Sequence, residues 1–427
     1  MLTTFIKTQI ITLTLCSVFL SQSSSATDAP STQLQQLQQQ LSQLQKQIDQ
    51  QDKKNWAALD ANNPLGALAS PDLAYSLLQQ QAQYPAMLTL GGSVSAAMQA
   101  WKGSELNGTI GRRLFYPSNG TAVAATTADL YVLANLTSWS QAFISVEGGL
   151  NGYPTQFSQA FVTVGDLTKT PFYATAGETY LPFGAFQGNG LVTNTLATNA
   201  FESTQLNQLD LGFGQDGLNT TLAVFNGASN FNDFVYSAQY TTTVKQWTFG
   251  GGAGYLYDLR YSGSSIAAAY NTSNGRTNIR SGTLQGGRNG AVDFNGNALY
   301  NFNSSQSLAG DAEWITTTNS PTTVRGISPG RMQAWTVAGT YTSPVLHKNT
   351  TFTLDYSANI NMAAVPLQLP GPVDQQAVSI VGIKNQWLTD FQTEIMNNVY
   401  VGPEFAWINL ANDQHTWETS ASVSVYI

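Results

Sequence analysis

Residues 351–361 read Thr-Phe-Thr-Leu-Asp-Tyr-Ser-Ala-Asn-Ile-Asn. Phe352, Leu354, Tyr356, Ala358 and Ile360 fall on one parity, and Thr353, Asp355, Ser357, Asn359 and Asn361 on the other. Successive side chains of a strand point to opposite faces, so this stretch is a strand with one apolar and one wet face. Residues 233–244 repeat the pattern, with Phe234, Tyr236, Ala238 and Tyr240 against Asp233, Ser237, Gln239 and Thr241. Residues 291–302 set Val292, Phe294, Ala298, Tyr300 and Phe302 against Asp293, Asn295, Asn297 and Asn301. The last residues do the same with Trp417, Ala421, Val423, Val425 and Ile427 on one side.

Extending this reading gives sixteen segments, starting near 87, 128, 139, 158, 171, 205, 218, 233, 246, 291, 306, 331, 350, 376, 393 and 416. The connections alternate in length. Long ones fall at 102–126, 182–204 and 259–290, and tight ones at Ser138 and at Gln215-Asp216-Gly217; the contrast weakens at 342–349. An even strand count with alternating long and short connections is the signature of an antiparallel transmembrane β-barrel of the bacterial outer membrane. A soluble β-sandwich also gives period-2 strands. It must hide every aromatic face, however, and it has no reason to alternate its loops.

Composition agrees. Only 10% of the 427 residues are charged, while the chain holds 18 Tyr, 20 Phe and 9 Trp. A barrel wall that shows lipid on one side and water on the other needs that mixture. A net charge of −8 with 17 Lys and Arg argues against a nucleic-acid partner.

The N-terminal part reads differently. Residues 1–26 form a secretory signal: an apolar stretch from Ile10 to Leu20 after Lys7, with Ser24 and Ala26 at the −3 and −1 positions. A lipoprotein site at Cys16 is the rival, and Leu15 before it is the wrong residue. Within 27–54, Leu34, Leu37, Leu41, Leu44 and Ile48 step by three and four, an a/d seam that favours self-association through residues 32–54 in the periplasm. The other reading is a lone amphipathic helix. Residues 55–86 form a linker with one short helix, Leu73 to Gln83, and the barrel occupies 87–427.

The catalytic inventory is thin. His347 and His415 are the two histidines, neither beside a nucleophile elbow, and Cys16 is the one cysteine. The sequence therefore gives no catalytic residue, no metal site and no cofactor, and the chain is not read as an enzyme. The run Gly250–Gly254 lacks the spacing of a nucleotide loop and falls inside a strand, where small residues let neighbours pack.

With the apolar faces turned to lipid, Asp210, Asp293, Asp311, Glu313, Asp355, Glu394, Glu404 and Glu418 line the lumen. Arg112, Arg113, Arg260, Arg276, Arg280 and Arg288 concentrate in outer loops, where their field would steer charged solutes. The other reading is that all these charges only keep the loops and the lumen wet. The connection 182–204 carries Phe183, Phe186 and Leu191, too apolar for a loop in solvent, and is expected to fold inward and constrict the pore. Packing on the outer rim is the alternative. Tyr131, Phe143 and Phe161 face the lumen by parity, as a sugar track would.

The order of signal, Gln/Leu coiled coil, linker and sixteen-strand barrel, together with the stretch Gly177-Glu178-Thr179-Tyr180-Leu181-Pro182-Phe183-Gly184-Ala185-Phe186, resembles the LbtU family of siderophore porins. The resemblance implies a barrel without a plug domain that takes up a ferric siderophore among outer-membrane lipids. A general or sugar-selective porin, and a structural barrel tethered through its coiled coil, are the other readings.

Overall fold

The computed structural model describes residues 72–83, 88–103, 119–148, 155–186, 188, 190–227, 231–270, 284–285, 287–303, 305–323, 330–346, 348–363, 365, 367–368, 378–379 and 382–426. The signal segment and the heptad helix lie outside them.

The first wall strands are β1 (Leu88–Gly103), β2 (Asn119–Thr137), β3 (Ser140–Glu147), β4 (Gln156–Gly165) and β5 (Phe172–Thr179). Next come β6 (Leu206–Gln215), β7 (Leu218–Asn226), β8 (Phe231–Val244) and β9 (Trp247–Leu256). Two-residue pieces β10 (Leu284–Gln285) and β13 (Thr322–Thr323) form a separate ribbon around β11 (Ala291–Asn301) and β12 (Ser307–Thr317) in sequence. Then follow β14 (Gln333–Val345) and β15 (Lys348–Ile360), a second ribbon of β16 (Leu367–Gln368) and β17 (Val378–Ser379), and β18 (Ile383–Met396), β19 (Val399–Leu410) and β20 (His415–Tyr426). The sixteen long strands pair antiparallel in chain order, and β1 pairs β20 to close the barrel. Closure leaves no strand edge, which is what a sheet needs in a solvent that offers no hydrogen bonds.

The faces separate as the pattern requires. Val337, Phe352, Leu354, Trp387 and Phe405 are exposed on the outside, while Asp293, Asp355 and Ser357 are 0% exposed on the inside. Aromatic rings gather in two outer belts. Phe294–Trp314, stacked, and the tilted Trp335–Tyr356–Trp387 row pack toward the long-connection end, with centroids 6.0, 5.1 and 4.5 Å apart. Phe172–Phe213, edge to face, and Trp247–Tyr300, tilted, pack toward the other end, at 5.4 and 4.7 Å. Such girdles mark membrane interfaces.

Connections alternate along the whole chain. Long ones span 104–118, 180–205, 257–290, 318–332 and 361–382, and two-residue corners fall at 138–139, 216–217, 245–246, 346–347 and 397–398. At Asp216-Gly217 both residues have positive φ (50° and 84°), the backbone of a tight hairpin corner.

The expected strand starts hold within a few residues, with three corrections. The second strand begins at Asn119 rather than 128, so its Ala-rich start belongs to the wall. The fourteenth and fifteenth begin at Ile383 and Val399 rather than 376 and 393. The contrast in connection lengths does not weaken at 342–349, because the hairpin turns on Leu346 at φ 51°, a corner without the usual Gly or Asn signal.

Leu354 sits at the middle of β15 on the lipid face. Leu354→Arg is expected to lower stability by roughly 2–4 kcal/mol. Urea unfolding in lipid vesicles measures it, with Thr353→Ser on the wet face as the near-neutral control.

Candidate functional site

The inner wall carries an arc of carboxylates across seven adjacent strands. Asp293 on β11 lies diagonal to Glu313 on β12, which faces Asn295 in register. Asp355 on β15 follows across β14, where it faces Ala338. Asp390 on β18 stands directly opposite Glu404 on β19, and Glu418 on β20 faces Ala406. All six are buried. Like charges this close repel, and buried carboxylates need donors. The Lys residues of the described barrel strands, Lys102, Lys348 and Lys384, sit at strand ends and supply none there.

Wall side chains serve two of the carboxylates, Gln99 Nε2 donating to Glu418 Oε1 at 2.8 Å and Asn295 Nδ2 to Asp293 Oδ2 at 2.7 Å, and the connection 180–205 serves Glu313 and Glu404. This connection leaves β5, crosses to the far wall and returns to β6. Ala185 N–H donates to Glu313 Oε1 at 2.6 Å, and Phe186 N–H donates to both Glu313 oxygens at 3.1 Å. Val192 N–H donates to Glu404 Oε2 at 2.7 Å and Thr193 N–H to Oε1 at 3.1 Å. Gly184 (φ 79°), Phe186 (φ 48°) and Gly188 (φ 81°) alternate into the left-handed region. Successive amides in such a backbone converge on one anion, here a wall carboxylate. Gln386 Nε2 donates to Asn194 O at 2.7 Å, and Leu196 N–H to Ser357 Oγ at 3.2 Å.

Apolar packing fixes the same segment. Phe183 is buried against Gly254 of β9, and Leu191 lies against Gly402 of β19, where an added side chain would collide with it. Helix α2 (Leu196–Phe201), capped by Thr195, packs with α3 (Ser265–Ala269), Leu259, Met332, Met362 and Leu367 into one buried core at the long-connection end. Glu202, just after α2, has its carboxyl raised to about 7 by burial and then by the charge of Glu313.

The other end holds helix α1 (Leu73–Gln83). The sequence pattern leaves this helix within the linker 55–86, and the fold seats it on the inner wall. Leu73 and Leu77 are buried with Leu133, Phe143 and Phe161. Gln81 Nε2 donates to Thr137 O at 2.7 Å, and Asn219 Nδ2 donates to Asp72 Oδ1 at 2.9 Å, so α1 lies between two short corners. Burial raises the Asp72 carboxyl to about 6, and the Asn219 bond opposes that.

The remaining expected site residues scatter. Asp210 is buried on β6, away from the arc, and Asp311 is half-buried beside Glu313 on the same face of β12. Glu394 accepts from Asn398 N–H at 3.3 Å and belongs to a corner rather than to the arc. Arg260 is held bidentate by Asp258 (2.6 and 3.0 Å), and Arg288 lies over the Tyr257 ring at 4.0 Å. Arg112, Arg113, Arg276, Arg280 and His347 lie outside the described residues, and His415 stacks on Trp407 at 4.9 Å. Sequence reasoning missed Asp390 and Glu202. Parity against Phe391 would have found Asp390, and no local pattern marks Glu202.

The comparisons agree with this architecture. A family model described as "Protein of unknown function (DUF3573)" matches residues 56–284. A "UPF0422 protein" of Coxiella burnetii is 28% identical over 124 residues, covering 27% of this chain and 26% of that protein. The chain thus spans about a quarter of that relative's length. Among solved structures, the outer membrane channel DcaP of Acinetobacter baumannii is 12% identical with a TM-score of 0.51, covering 80% of this chain and 97% of that one. An anion-selective porin from Comamonas acidovorans is 9% identical with a TM-score of 0.51, covering 80% and 99%. OprB of Pseudomonas putida is 8% identical with a TM-score of 0.50, covering 83% and 97%. At these identities the likeness is one of fold, the outer-membrane porin fold.

Glu404→Ala and Glu313→Ala each remove the acceptor of at least two loop amides. About 1.5–3 kcal/mol is expected per charge-assisted bond, read as faster proteolysis within 185–193. The Glu202 carboxyl, raised in the folded state, favours folding most below its unfolded value of 4.5, and that contribution is lost as pH rises through about 7. Exchange of the 196–201 amides should therefore quicken across that window, and Glu202→Gln should flatten the dependence.

Proposed function

Because the chain belongs to the DUF3573 family, we propose its function from its own lumen: a porin-like channel that lets a small solute cross the outer membrane without covalent chemistry. The observation that carries this is the closed barrel, apolar outside and polar inside, with one connection pinned across its lumen by Glu313 and Glu404. A structural barrel has no need of a segment held there against the cost of burying two carboxylates.

The cargo we assign is a ferric siderophore. The support is the resemblance carried by residues 177–186, and those residues are where the chain turns from β5 into the lumen. Their glycine requirement has a physical reason. Gly177 (φ 143°) sits where a Cβ would meet Phe161, and Gly184 (φ 79°) bends the chain toward Glu313. A motif that shapes the passage is one that a cargo would select. The loop arginines would gather an anionic complex at the mouth by long-range attraction. Arg288 is exposed where it lies over the Tyr257 ring, while the charge of Arg260 is largely compensated by Asp258. With the signal removed, the N-terminal segment and α1 would lie on the periplasmic side, and residues 32–54 would let copies associate there.

Planar-bilayer conductance of the refolded chain, with and without a panel of ferric siderophores, tests the assignment. Conductance steps that one ferric siderophore blocks are expected. Steps that none of them blocks would make it a general porin. Folded protein with no conductance would end the channel reading.

A further inference from the structure

The inner face of β2 to β5 carries a row of aromatic rings that the passage of a siderophore does not explain. Tyr131, Phe143 and Phe161 follow one another on adjacent strands, with centroids 6.2 and 5.2 Å apart and planes inclined by 26° and 30°. Tyr173 on β5 stands on the same face beyond the end of these contacts, four residues nearer the short corners than Gly177, the register partner of Phe161. Two of these rings lie flat on the wall. A Cβ added at Gly91 of β1 would strike the Tyr131 ring, and one at Gly212 of β6 would strike the Tyr173 ring. A ring laid over glycine presents its face, not its edge, to whatever lies in the lumen. The hydroxyl of Tyr173 donates to Asn219 Oδ1 at 2.8 Å, which fixes that ring in place.

The row is occupied by the protein itself. Tyr75 of α1 stacks on Tyr173 at 5.8 Å with the planes 24° apart, as a ligand ring would. Leu73 and Leu77 cover Phe143 and Phe161. Helix α1 has eleven residues, with no acid in its first turn and no base in its last. A helix of that length is marginal in water by itself, so its form depends on this seat. Its short polar ties, Asp72 to Asn219 at 2.9 Å and Gln81 to Thr137 at 2.7 Å, are at its two ends, and its middle is held by apolar and ring contacts with one long bond, Gln141 Nε2 donating to Leu77 O at 3.4 Å. An element held that way leaves when something else covers the same apolar faces.

We propose that the Tyr131–Phe143–Phe161–Tyr173 row is a lumen site for solutes that carry a flat ring with an apolar face, and that α1 is its resting occupant and must move aside for such a solute to bind. This rests on the reading of the lumen as a passage. Ring stacking of this kind discriminates by shape and by the apolar face of a ring rather than by charge. The site therefore acts independently of the carboxylate arc on the opposite wall.

The probe is 4-nitrophenyl β-D-glucopyranoside, which carries both a sugar and an aromatic ring, used on the full chain. In the wild type it should accelerate amide exchange of residues 73–83 while the wall strands stay protected. The double change Leu73→Asp, Leu77→Asp alters no strand and should raise single-channel conductance. The probe should then block that opened current, and adding Phe143→Leu and Phe161→Leu, which keep apolar volume but remove the rings, should weaken the block by about tenfold. Exchange at 73–83 that ignores the probe overturns the proposal, as does block that survives loss of both rings. Conductance that is the same with α1 intact or expelled overturns the role of α1 while leaving the channel standing. Folded protein that carries no current in either form sinks the channel reading, and the exchange experiment then decides the ring site by itself.

Discussion

A backbone amide in hydrocarbon has no partner except another backbone group. For a chain that crosses with strands, that constraint requires the first strand to meet the last, as β1 meets β20 over eleven paired residues from Ser93–Tyr426 to Gly103–Thr416. Everything else follows from closure. Once the sheet has an inside, its period of two assigns every second residue to it, and the polar half of each strand must be accommodated within a narrow lumen. The outer half needs no packing partner from the protein. This is why Leu90, Val123, Phe157 and Leu211 stand exposed in numbers that water would not tolerate.

The inside then presents its own problem. Six carboxylates on adjacent strands are withdrawn from bulk water, two of them directly opposed at Asp390 and Glu404. The fold answers with backbone dipoles rather than with Lys or Arg. The crossing segment turns its amides toward Glu313 and Glu404, through a backbone that only glycine-rich sequence adopts cheaply. Segment and arc thus depend on each other. The carboxylates give the crossing its path, and the crossing gives two of the carboxylates their donors. Its apolar residues close into a core with α2 and α3, so the same connection is anchored by charge at one part and by burial at another.

The legible part was what repeats. Thr351–Asn361 declares its two faces by itself, and sixteen such stretches with alternating connections leave little choice of architecture. Corners were readable where chemistry marks them, as at Asp216-Gly217, and unreadable at Leu346, where an ordinary residue takes a left-handed conformation because the paired strands on both sides force it. Parity placed Asp293, Glu313, Asp355, Glu404 and Glu418 on the inner face, and the apolar residues of 182–204 pointed to a segment with somewhere to pack.

What the sequence determined by itself is therefore the wall: strand number, faces and the order of long and short connections, because each depends on residues adjacent along the chain. What only the tertiary structure decided is the content of the lumen. That Glu313 receives the amides of residues 185 and 186, that Glu202 rises with Glu313 nearby, and that α1 covers Phe143 and Phe161 are relations between groups separated by tens to hundreds of positions. No local pattern encodes such distances. They arise when closure brings distant strands around a common space and the segments left over must satisfy whatever the wall turns inward.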